Sequence, residues 1–96
     1  MISWMSKRTD EITSRHGMSV IGFHREREVE KAWCTVGLNG MAEVVELGNV
    51  EGLTDEQIDR RFVASLLKFA ISAAESGDNE GYEVLDELLD GLSRRE

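Results

Sequence analysis

The 96-residue chain is 41% hydrophobic and 31% charged, enough for one globular domain spanning 1–96 that buries roughly 60% of the surface its unfolded form exposes. Its net charge of -8 is uneven, with six basic and five acidic groups in residues 1–31 against five and fourteen in residues 32–96; that balance argues against direct binding of nucleic acid or of an anionic membrane, both of which need basic groups. Cys34 is the only cysteine, Met1 to Arg8 lack a signal-peptide core, and no apolar run approaches the roughly 18 residues of a membrane span, so the expectation is a disulfide-free, cytoplasmic protein.

Met1 to His16 reads as a short helix, with Ser3 or Ser6 as cap, Asp10 and Glu11 in an early turn and Gly17 as the stop. Met1, Met5 and Ile12 share its thin apolar face, and Trp4 points elsewhere. From Met18 to Arg25 the residues Val20, Ile21 and Phe23 predict a strand, followed by a charged connection, Arg25 to Lys31.

Asn39-Gly40 stands between two alternating runs and is the preferred pair for a two-residue type I′ hairpin turn. The implied register sets Leu38 against Met41, Val36 against Glu43, Cys34 against Val45 and Ala32 against Leu47, an almost wholly apolar side on which Glu43 reaches water near the turn. Lys31, Trp33, Thr35, Val44 and Glu46 make the other, mixed side, which predicts partial exposure.

After a Gly48 to Gly52 loop, Thr54-Asp-Glu-Gln57 matches a capping box and opens a long helix to Ser76. Ile58, Phe62, Val63, Leu66, Leu67, Phe69, Ala70, Ala73 and Ala74 cover about half its circumference, which predicts two neighbours, the sheet and another helix. Gly77 ends it. The final helix, Asn79 to Ser93, is expected to bury Tyr82, Leu85, Leu88, Leu89 and Leu92 and to expose Glu80, Glu83, Asp86, Glu87 and Asp90. The expected fold is α+β: a helix, a three-stranded antiparallel meander, then two helices packed on one sheet face.

Between Phe69 and Ser93 there are seven acids and no Lys or Arg. On a helix the acids form a ribbon whose 5 to 6 Å spacing is comparable to that of phosphates along a nucleic-acid strand. The helix dipole accounts for Asp78, Glu80 and Glu83 but disfavours Asp86, Glu87 and Asp90, where Arg94 offsets part of the cost. The ribbon is therefore either a solubilising face or a partner surface for a basic groove. Trp4 and Trp33 are the aromatics best able to anchor an interface.

No catalytic motif is present, and no cofactor or metal is expected. Asp78 is followed by glycine at position four rather than six, unlike an EF-hand, and neither His16 nor His24 stands in a Glu-x-x-His pair. The hairpin register turns Cys34 inward as a small core residue, and the two histidines are expected at the surface or the sheet edge.

The order helix, three antiparallel strands, helix, helix, with small size and acidity, resembles that of phage-encoded anti-CRISPR proteins. These nucleic-acid mimics occupy the site where a CRISPR effector nuclease reads its target. The resemblance implies a non-catalytic inhibitor whose Glu80, Glu83, Asp86, Glu87 and Asp90, with Trp33 as a further contact, engage a protein partner with a basic surface. The alternative is a structural or homodimerisation domain joined through Trp33, Val44 and the mixed sheet side. The first five elements also resemble a double-stranded RNA-binding domain, with Trp33-Cys-Thr-Val-Gly-Leu-Asn-Gly40 as the central hairpin. Thr54-Asp-Glu-Gln-Ile-Asp59 stands where that family carries its basic cluster.

Overall fold

The computed structural model describes residues 4–26 and 31–93. Met1, Arg94 and the middle of the charged connection lie outside the described residues, as do the side chains of Ile21, Phe23, His24 and Leu92. Six elements follow one another: α1 (Lys7–Arg15), β1 (Ser19–Glu26), β2 (Lys31–Leu38), β3 (Met41–Asn49), α2 (Asp55–Glu75) and α3 (Asn79–Ser93). The strands form an antiparallel sheet in the order β1-β2-β3. Among the described residues no helix is long and apolar enough to cross a membrane.

The hairpin turns at Asn39 (φ 49°) and Gly40 (φ 84°), the left-handed pair that a type I′ turn requires. Leu38, Val36 and Cys34 pair with Met41, Glu43 and Val45 as expected. Ala32 does not meet Leu47; it meets Gly48, because Trp33 pairs with Glu46 and one extra residue enters β3. Gly48 absorbs the bulge with φ 74°. A second bulge lies in β1, where Gly22 and Phe23 together span the place of Cys34.

One face of the sheet, with Cys34, Val36, Leu38, Val45 and Leu47, joins Ile12 of α1 and Ile58, Phe62, Leu66, Phe69, Ala70 and Ala73 of α2 in a single core. The opposite face, with Thr35 half-buried and Val44 63% exposed, has no helix over it among the described residues. Burial pushes the Cys34 thiol up to about 11, consistent with a packing role.

The helix α2 opens with both halves of its capping box: Gln57 N–H donates to Thr54 Oγ1 (3.2 Å) and Thr54 N–H to Gln57 Oε1 (2.9 Å). Its apolar arc is buried as the periodicity predicts, except that Leu67 is half-buried. Trp4, which the sequence leaves open between core and interface, belongs to the core. It lies ahead of α1, almost fully buried, with its ring edge-on to Phe62 at 5.2 Å and 67°.

Asp59 of α2 lies in the middle of the helix's apolar arc and is buried there although it is an acid. Its carboxylate accepts from Ser6 N–H (2.8 Å) and Thr9 Oγ1–H (3.3 Å), while the Ser6 hydroxyl accepts from Thr9 N–H (3.1 Å). Thus α1 is capped twice, once by its own serine and once by a carboxylate from another helix. That pairing sets where α1 lies on α2, and hence where its C-terminal end meets α3.

Candidate functional site: the two edges of the C-terminal helix

After Gly77 (φ 90°), Asp78 accepts from the Glu80 backbone N–H at 2.9 Å and from the Asn39 amide at 3.1 and 3.2 Å. The start of α3 is thereby fastened to the tip of the hairpin. Among the described side chains of α3 the buried positions are Gly81, Val84, Leu88 and Gly91, with Leu85 half-buried. Tyr82 and Leu89 are 56% and 48% exposed, which corrects the expectation that they dock.

The cause is Gly81. A Cβ there would stand 2.7 Å from Ala74 N and 2.8 Å from Ala73 Cβ, whereas one on Gly91 would meet only the movable end of the Arg8 side chain. Close approach through small residues turns this stripe inward and rolls Tyr82 and Leu89 outward. Hydrophobicity ranks leucine and tyrosine above glycine for burial, but the approach of the backbones decides here.

The same rotation divides the acids. Glu80, Glu83, Glu87 and Asp90 fall three or four residues apart along the edge that meets α1. His16, at the C-cap of α1, is nine-tenths buried in that junction, its side chain 10% exposed. Its Nδ1 lies 2.6 Å from Glu80 Oε2 and 3.8 Å from Glu83 Oε2, and its Nε2 bonds Glu87. Arg15 also pairs with Glu87; Arg8 Nη2 lies 3.6 Å from Asp90 and donates to the Glu87 carbonyl at 3.0 Å.

Burial on its own lowers the pKa of His16. The hydrogen bonds from Glu87 and Glu80 and their charges outweigh it, so His16 stands above its ordinary value. The imidazolium form is favoured, with both ring nitrogens donating to carboxylates.

The expected ribbon is therefore not one continuous free edge. Glu80 and Glu87 are half-buried and engaged by α1, whereas Glu83, Asp86 and Asp90 are exposed. Asp86 has no ion pair among the described residues. Trp33 is half-buried on the sheet face away from the helices, with Glu46 opposite it across the strand pair, far from sharing a surface with the ribbon by virtue of its face.

His16 is the residue that sequence reasoning placed wrongly, at the surface. The group His16, Glu80 and Glu83 brings one donor atom from each within 4.8 Å of the others. No contiguous motif announces it, since sixty-four residues separate His16 from Glu80. The available signal is weak: a histidine ending one helix and glutamates at i, i+3 and i+7 on another. No family model matches the chain, and no curated protein or solved structure matches it either.

Proposed function

We propose that the protein is a non-catalytic acidic binding protein that docks the outward edge of α3 in a basic groove of a nucleic-acid-handling protein and competes there with nucleic acid. The observation that carries the reading is the composition of that edge. Asp86 is exposed beside Tyr82 and Leu89, with Asp90 exposed at the border toward α1, so negative charge and two apolar anchors share one helical face. Fields of opposite sign steer encounter, while a half-exposed tyrosine supplies the short-range contact that charge alone lacks. Glu80 and Glu87 take no part in this surface, being engaged by His16 and Arg15. The sharpest form of the reading, a phage-borne inhibitor of a CRISPR effector, rests on element order, size and acidity.

The test is capture from lysate at low and high salt, followed by displacement of a labelled DNA duplex from each captured protein. The parent chain should displace the duplex in a salt-sensitive way, and a chain carrying Asp86→Lys and Asp90→Lys should not. Equal displacement by the two chains rejects the reading.

A second reading is favoured by the open sheet face. Val44 is 63% exposed next to half-buried Thr35 and Trp33 on a face that no described helix covers, a surface suited to a second copy of the chain. Sedimentation velocity across a concentration series separates the readings: a dimer abolished by Val44→Lys supports a homodimerisation domain.

A further inference from the structure

We propose that His16, Glu80 and Glu83 form a binding site for a divalent transition-metal cation of the zinc class, with Glu87 as the residue that orients the histidine. The donors come from two elements: the C-cap of α1 supplies the imidazole, and the first turns of α3 supply two carboxylates three residues apart. A tetrahedral zinc ion with bonds of about 2.0 to 2.1 Å holds neighbouring ligand atoms roughly 3.3 Å apart. The separations from His16 Nδ1 to Glu80 and Glu83 oxygens, 2.6 and 3.8 Å, bracket that value. Small rotations of two side chains bring both into range.

Two further features set this group apart from an ordinary surface cluster of acids. The imidazole is nine-tenths buried, and its Nδ1 points between Glu80 and Glu83. Its Nε2 donates to Glu87, which Arg15 also holds. A metal-bound histidine usually donates its second ring nitrogen to a carboxylate, which fixes the tautomer and raises the basicity of the ligating nitrogen. Here Glu87 makes that bond, and the Nδ1 lone pair is left for the cation once the Nδ1 proton departs.

The charge favours the exchange. Glu80, Glu83 and Glu87 bring three negative charges to a site whose facing cations are His16 and Arg15. Replacing the Nδ1 proton by a divalent ion releases one proton and adds one net positive charge where negative charge is in excess. The imidazole ligand selects zinc, cobalt or nickel over calcium and magnesium, which take oxygen donors. Bound metal ties α1 to α3, on the side of α3 away from Tyr82 and Leu89.

The experiment is calorimetric titration of zinc chloride into the full chain, stripped with EDTA, at near-neutral pH in two buffers of different ionisation enthalpy. Cobalt absorption in the visible reports the ligand geometry. One zinc per chain is expected, with release of one proton and no comparable binding of calcium. Glu83→Gln changes a side chain that is 65% exposed, leaves the fold intact and should remove high-affinity zinc binding. Glu87→Gln should weaken it about 10- to 100-fold. His16→Ala should abolish it, with circular dichroism checking the fold; if that variant does not fold, Glu83→Gln decides. The proposal is overturned by absence of saturable zinc binding, or by zinc binding unchanged in Glu83→Gln, which marks scattered surface carboxylates. No partner enters this measurement, so its failure and that of the outward-edge reading are independent.

Discussion

The two edges of α3 carry the same residue type to opposite ends. Along the inward edge, Glu80 and Glu87 meet His16 and Arg15 of α1 and work as internal connectors. Along the outward edge, Asp86 keeps its charge for solvent or a partner, next to Tyr82 and Leu89. A run of carboxylates on a helix is thus two populations separated by about a third of a turn, and only the neighbour helix distinguishes them. Counting acids overstates the surface available to a partner.

The comparison is broken most severely at Gly81, which sets the roll of α3. Gly81→Val drives a branched side chain into the α2 backbone and should cost about 3 kcal/mol, read as a fall in urea midpoint. The inner and outer edges would exchange character in whatever folded fraction remains. Asp59→Ala comes next at about 2 kcal/mol, because it strands the Ser6 N–H and takes from the buried Thr9 hydroxyl one of its two partners, leaving the Ser6 hydroxyl at 2.9 Å. Weakened protection of α1 amides in hydrogen exchange, with α2 amides less affected, would locate the damage.

Smaller effects sharpen the contrast. Glu87→Gln removes the charge shared by His16 and Arg15 and should cost about 1 kcal/mol after allowance for solvent screening of the exposed arginine. Asp86→Asn and Leu89→Ala on the outer edge should each change stability by no more than about 0.5 kcal/mol. Equal losses at Glu87 and Asp86 would erase the division between the edges.

The pH dependence of the metal-free protein follows from His16, whose pKa is raised on folding. The folded chain then binds the proton more tightly than the unfolded one, so this contribution is complete below the unfolded value of about 6.5 and is lost as pH rises through the higher folded value. With EDTA present, stability should fall across that window in the parent chain, and His16→Ala should flatten the fall. An identical slope in both chains would remove His16 as its source.

Most of the architecture was legible because its signals are local. Asn39-Gly40 specifies a turn that only left-handed φ values satisfy, and alternation on both sides carries the register until the bulge at Gly48 displaces Ala32. Thr54 and Gln57 mark the start of α2, and Gly77 its end. The candidate site was half legible: the acids of α3 were visible, but their division, and the part of His16 in it, were not.

The sequence by itself determined the element order, the hairpin, the long buried helix and the acidity of the last helix, since each depends on residues within a few positions of one another. Tertiary structure alone decided which face of α3 turns inward, that Trp4 is core, that Asp59 caps α1, and that His16 sits among Glu80, Glu83 and Glu87. Those outcomes depend on how closely two backbones can approach and on which charges then face each other, quantities that no single segment contains.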